Sequence, residues 1–311
     1  MRLLSALLMG LAFVLSDAGH VKAQPNMPGF DIEVYATGFV RPGRMAFDSS
    51  GVMYLGSGWD WTAPEKLYRV GVGGTPVERY GDPIPDPDAV LFDAAGDVSG
   101  TPGSVLVGGG QDVYAVRPDE TVVKIFDTST LNISDLKFDN AGRLLVATNN
   151  TQTVYRGENG SLTPLFTSPS SLDRIAVDVT GQIYTREGDV ITVRDSDGNM
   201  IDPEFASGLH AHTKLAFGLG GVWGTDLYVL DRYIGDGELR RYQPNGDYTV
   251  VGTGCSTPAG IAFGPDGALY FNDADNERIL RITPVPEPST LMLLCIGAFG
   301  FVACRQRRSK P

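Results

Sequence analysis

The sequence predicts an all-β chain folded as a six-bladed β-propeller, and three observations carry that expectation. A single phrase recurs six times between residues 47 and 282. The glycines that close its first turn, Gly51, Gly96, Gly142, Gly181, Gly221 and Gly267, lie 45, 46, 39, 40 and 46 residues apart. Between turns, apolar residues alternate at period two, and no long stretch of the core shows a helical period. A repeat of about 40 to 50 residues holding several short strands marks a propeller blade.

Each unit begins with an apolar strand ending in Phe or Val and then a four-residue turn, as in Phe47-Asp48-Ser49-Ser50-Gly51 and Phe263-Gly264-Pro265-Asp266-Gly267. An Asp that bonds its own backbone, followed by a Gly free to take positive φ, makes the tight hairpin antiparallel strands need. A second alternating strand follows, such as Val52 to Leu55 or Ala268 to Asn272. The third has an apolar-aromatic core, as in Leu67-Tyr68-Arg69-Val70 or Ile279-Leu280-Arg281-Ile282. A fourth, outer strand closes units one to five, for example Thr121 to Phe126 and Tyr248 to Val251. The sixth unit runs into Pro284 before it can supply one, whereas Phe30-Asp31-Ile32-Glu33-Val34-Tyr35 is a strand with no unit of its own. Pairing the two closes the ring and removes an aggregation-prone edge.

The 311 residues include 39 Gly and 20 Pro for turns, and 42 % are hydrophobic, which suits one cooperative ring over residues 24–284. Only Cys255 lies in that core, so disulfides do not hold it together. The formal charge is −12; residues 1–23 carry +1 and residues 285–311 carry +3, which leaves −16 on the core. Such a field repels nucleic acid and anionic lipid and favours cations or neutral ligands.

Residues 1–23 read as a secretory signal peptide, with Arg2, an apolar stretch from Leu3 to Leu15, and Val21-Lys22-Ala23 where signal peptidase cuts. At the other end, Val285-Pro286-Glu287-Pro288-Ser289-Thr290 precedes the apolar run Leu291 to Ala303 and the basic residues Arg305, Arg307, Arg308 and Lys310. A single transmembrane tail is expected over residues 285–311, its basic end a cytoplasmic stop and the core outside. This order resembles the PEP-CTERM sorting signal of Gram-negative bacteria, with Pro286, Glu287 and Pro288 as the motif itself. The resemblance implies an exosortase partner, a membrane-embedded cysteine transpeptidase that removes the tail and passes the protein toward the cell surface or an exopolysaccharide matrix. Arg305, Arg307 and Arg308 would set orientation in the inner membrane.

The sixth unit resembles an NHL repeat, with Gly260-Ile261-Ala262-Phe263, Pro265-Asp266-Gly267 and Asn276-Glu277-Arg278-Ile279 at that family's spacing. The whole core is similar to the wider six-bladed group that includes gluconolactonase-like and strictosidine-synthase-like proteins. That scaffold serves enzymes and binding proteins alike.

In such rings function sits at the end of the central channel where inner strands begin. Aligning the units on the Phe or Val of each turn puts Arg44, Ala89, Asp135, Arg174, Lys214 and Gly260 at matching places, with Asp88 and Asp173 one residue earlier in theirs. Loops carrying Trp59-Asp60-Trp61 and Asp273-Ala274-Asp275 flank them, and the two indoles either stack on a sugar ring or bury against the next blade. The candidate ligand-binding rim is therefore Arg44, Trp59, Asp60, Trp61, Asp135, Asp173, Arg174, His212 and Asp273.

Gluconolactonase-like enzymes hold a divalent cation at this end, with a Glu from the first inner strand. Arg44 stands at that position here, and its guanidinium opposes a cation. Asp135 and Asp173 could hold calcium together with waters, or join an Arg–Asp network. His210 and His212, two apart and so on one face of a strand, suit zinc with Asp173 as the nearest third ligand, or are surface-loop histidines. Asp195-Ser196-Asp197-Gly198-Asn199 imitates the start of a calcium loop without its distal Glu and reads as a turn. No nucleophile elbow, phosphate-binding Gly loop or Cys-rich metal motif is present, so no catalytic residue is assigned. Three functions stay open: a non-enzymatic, surface-delivered propeller that binds matrix polysaccharide or a surface protein; a metal-dependent lactonase, lyase or related hydrolase in the channel with Asp135, Asp173 and His212 as ligands; or a scaffold whose blades mediate protein contacts.

Overall fold

The computed structural model describes residues 24–57, 64–128, 130–158, 160–211, 213–231, 237–255 and 259–285. Hairpin chemistry shapes each unit first. Asp48 Oδ1 accepts the N–H groups of Ser50 and Val52, both at 2.9 Å, and Asp139 and Asp178 do the same for Ala141 and Arg143 and for Thr180 and Gln182. The glycine three positions on then takes φ of 93° at Gly51 and 90° at Gly181, a conformation that a Cβ disfavours. The Asp195 segment is a turn of the same kind, its Oδ1 accepting from Asp197 and Asn199 at 2.9 Å. Unit five lacks the Asp. There the chain continues into a 3₁₀ turn, Gly221–Trp223, before its second strand starts at Leu227.

Six antiparallel sheets of four strands result. Blade one runs Pro42–Phe47, Met53–Ser57, Pro64–Val70 and Val77–Pro85, from the inner strand outward. The inner strands of blades two to six are Pro87–Asp93, Ile133–Phe138, Leu172–Val177, Lys214–Phe217 and Ile261–Phe263. In the sixth sheet the outermost strand is Phe30–Thr37, paired antiparallel with Arg278–Pro284 from Phe30↔Pro284 to Thr37↔Arg278, with a bulge between Val34 and Ala36. The propeller is thus closed by its N-terminal strand, as the leftover strand and the incomplete sixth unit predict.

Alternation along every strand sends apolar residues into the layers between blades. Between blades five and six, Trp223, Tyr228, Leu230, Phe271, Leu280 and Ile282 form one buried cluster, and Phe30 of the closing strand stacks on Trp223 at 4.7 Å between ring centroids. Each such side chain contributes roughly 1.5–3 kcal/mol on burial. The Trp223 indole N–H also donates to the Gly267 carbonyl at 2.9 Å, so the inserted turn of blade five locks onto blade six. Cys255 is buried as a free thiol, and burial pushes its pKa up to about 12. Among the described residues no helix is long and apolar enough to cross a membrane; the apolar run Leu291 to Ala303 and the signal peptide over residues 1–23 lie outside them.

Candidate functional site

Inner strands point their first residues at the ring axis, and four of them carry a bulge there: between Pro42 and Met45, Pro87 and Ala89, Ile133 and Asp135, and Leu172 and Arg174. A bulge re-aims the side chain beside it. Arg44, Asp135, Arg174, Lys214 and Gly260, which sequence alignment of the units puts in register, line one axial cavity of about 20 Å³. Blade two differs: Ala89 is buried in the apolar layer beside Ile133 and Leu136, and Val90 reaches the cavity instead.

The charges around this cavity are unequal. Asp135 accepts the N–H groups of Leu136 at 3.0 Å and of Ile175, in the next blade, at 3.1 Å. Burial alone would raise its pKa, but Lys137, Arg44, Arg174 and the Ile175 N–H outweigh that and hold it below the usual range. Arg44 lies 3.2 Å from the half-exposed Asp88. Burial opposes its charge, whereas Asp88, Asp135 and Asp173 favour it and raise its pKa. Arg174 is lowered by burial and by Arg44, and Lys214 is pushed well below its ordinary value by burial and by Arg174 and Arg44 together. Asp173 lies beside the cavity against Arg186 at 3.0 Å and Arg174 at 3.7 Å, and these guanidiniums hold it low against the opposing effect of burial.

The remaining candidates sit elsewhere. Asp273 is 1 % exposed and accepts from Arg278 Nε at 2.8 Å and Asn276 at 2.7 Å, inside blade six. His210 meets Asp231 at 3.1 Å, and Arg240 reaches the same carboxylate at 3.0 Å. Trp59, Asp60, Trp61 and His212 lie outside the described residues, as do Pro286, Glu287, Pro288, Arg305, Arg307 and Arg308. Among the described residues no three His, Cys, Asp or Glu side chains converge as a metal would require. Asp135, Asp173 and His210 are engaged separately: both Asp135 oxygens accept backbone N–H groups, Asp173 faces two arginines, and His210 faces Asp231, a carboxylate of blade five. A cation would also meet the guanidinium and ammonium groups already there.

Two residues escape sequence reasoning. Lys137 lines the cavity, its Nζ 4.0 Å from Asp135 Oδ1. The signal was present, because it stands two residues beyond Asp135 on the same strand and so on the same face. Asn272 stitches the ring shut, its Oδ1 accepting from Ala259 and Gly260 at 2.6 and 2.7 Å while its Nδ2 donates to the Pro42 and Gly43 carbonyls at 2.6 and 2.5 Å. Gly260 permits that seam, for a Cβ there would stand 3.0 Å from Arg44 Cα.

Residues 284–308 match the PEP-CTERM protein-sorting motif, so the chain carries that motif at its C-terminal end. No curated protein matches the chain. Solved structures resemble it in fold. An auxiliary nutrient binding protein from Bacteroides thetaiotaomicron is 14 % identical with a TM-score of 0.63, covering 84 % of this chain and 77 % of that one. A virginiamycin B lyase from Staphylococcus aureus is 15 % identical with a TM-score of 0.57, covering 82 % and 100 %. A calcium structure of the Trichoderma reesei Carbohydrate-Active Enzymes Family AA12 is 13 % identical with a TM-score of 0.59, covering 85 % and 99 %. At these identities the likeness shows the six-bladed fold alone.

Proposed function

We propose that this chain is an exported binding module: its tail is processed by an exosortase, and its channel mouth holds matrix polysaccharide. One observation carries the reading. Four inner strands, those of blades one, three, four and five, converge charged groups on a single axial mouth while the same chain bears a sorting motif. Asp135 there is held by backbone N–H groups while donors of Arg44 and Arg174 stay without a hydrogen-bond partner among the described residues, and the likeness to auxiliary nutrient binding proteins supports binding over turnover. A protein ligand at the cell surface is the coarser form of the same reading.

The full chain is to be tested on a glycan array and on isolated matrix polysaccharide, with and without a chelator. Binding unchanged by the chelator is expected. Turnover of aldonolactones, or binding lost on chelation, would overturn the reading in favour of a metal-dependent lactonase or lyase.

A further inference from the structure

The cavity inverts the sign of the chain that surrounds it. The protein carries −12 overall, yet among the described residues the charged groups lining the cavity are Arg44, Lys137, Arg174 and Lys214 against one carboxylate, Asp135. Three of those cations are nearly out of solvent: Arg44 and Arg174 are 7 % exposed and Lys214 is 5 %. Arg44 Nε and Nη1 and Arg174 Nε are buried without a hydrogen-bond partner among the described residues, although Arg44 Nη1 lies 3.2 Å from Asp88. Buried donors left unmade are costly, and like charges crowded in low dielectric repel, so this arrangement is stable in proportion to the negative charge brought to it. Asp135 already spends an oxygen on each of two backbone N–H groups, and from beside the cavity Asp88 faces Arg44 at 3.2 Å and Asp173 faces Arg174 at 3.7 Å.

We infer that the channel is a carboxylate site, in which Arg44, Arg174 and Lys214 receive one acidic group of the ligand while the rest of the ligand lies across the mouth. The inference rests on the binding reading above and names its ligand class: a polysaccharide that carries uronate residues. A cavity of about 20 Å³ has room for about one oxygen-sized group, so only the tip of the acidic group enters. Arginine suits this task because its planar fork matches a carboxylate.

The test is calorimetric titration of the full chain with an oligogalacturonate and with the same oligosaccharide after carboxyl reduction. The charged form is expected to bind about ten-fold tighter or better, as loss of one charge-assisted contact implies. Lys214→Met and Arg174→Met should erase that preference, Lys214→Arg should keep most of it, and Lys124→Gln, far out on blade two, should leave it unchanged. Thermal shift of the unmodified chain by the two oligosaccharides gives the same comparison without a variant. Equal affinity for charged and reduced forms, or a preference that survives Lys214→Met, overturns the carboxylate site while leaving polysaccharide binding intact. Tighter binding of an oligoglutamate than of the oligogalacturonate overturns the sugar as carrier. Failure of the glycan array and matrix assays as well sinks the binding reading itself.

Discussion

At the level of single residues, Asp135 decides whether the channel holds together. It ties blade three to blade four through the Ile175 N–H and, among the described residues, is the only carboxylate lining the cavity beside four basic side chains. Asp135→Asn keeps the shape and one acceptor oxygen but removes the buried charge that faces Lys137, Arg44 and Arg174, leaving only Asp88 and Asp173 beside the two arginines. Breaking one partner out of a buried ionic group costs about 3 kcal/mol or more. The urea midpoint of the Asn variant should fall accordingly; a midpoint unchanged within error would show that the carboxylate charge does not matter there. Pairs farther out behave differently. Lys124 and Asp127 are 3.6 Å apart with side chains 41 % and 69 % exposed, and solvent screens such a pair to little or nothing.

Among elements, the closing strand Phe30–Thr37 has the largest consequence for its size. It covers the edge that Arg278–Pro284 would otherwise expose and brings Phe30 onto Trp223 of the neighbouring blade. Glu33 and Arg281 are partners across this pair, joined at 2.6 Å, and Arg281 also reaches Asp266 at 2.9 Å. A Glu33→Cys, Arg281→Cys variant should form a disulfide under mild oxidation and move as a compact species on a non-reducing gel. Oxidation should then raise stability by about 2–4 kcal/mol, since it pins the two ends of the ring. No cross-link after oxidation would show that the ring is closed by some other segment.

For the whole molecule, charge sets the pH at which the ring holds. Asp135, Asp173, Glu187 and Asp231 are each opposed by burial yet held below the usual carboxylate range. Lysine and arginine do this at Asp135, arginines at Asp173, Arg194 and three hydroxyls at Glu187, and His210, Thr213 and Arg240 at Asp231. A depressed folded pKa means that the unfolded chain takes up protons first. The stabilisation is therefore complete above about pH 5, declines as pH falls through the ordinary carboxylate range, and is gone below the folded values. Urea midpoints taken from pH 7 down to pH 3 should drop steadily below about pH 5. A flat profile to pH 3 would mean these carboxylates are no better placed in the fold than in the open chain.

Blade number, hairpin turns, ring closure and the sorting tail were all legible in the residue string, because each depends on local chemistry: an Asp and a Gly at fixed spacing, period-two alternation, Pro286-Glu287-Pro288 ahead of an apolar run and basic end. Alignment of the units also put Arg44, Asp135, Arg174 and Lys214 at one level of the channel. The sign of the field there was not legible. Net charge sums over the whole surface and points to cations, whereas the cavity gathers four basic side chains from the inner strands of blades one, three, four and five and sets them around one carboxylate among the described residues. Tertiary structure alone decided that, and it also turned Asp273 into an interior partner of Arg278, because a side chain's role follows from what folding places beside it and not from its own type.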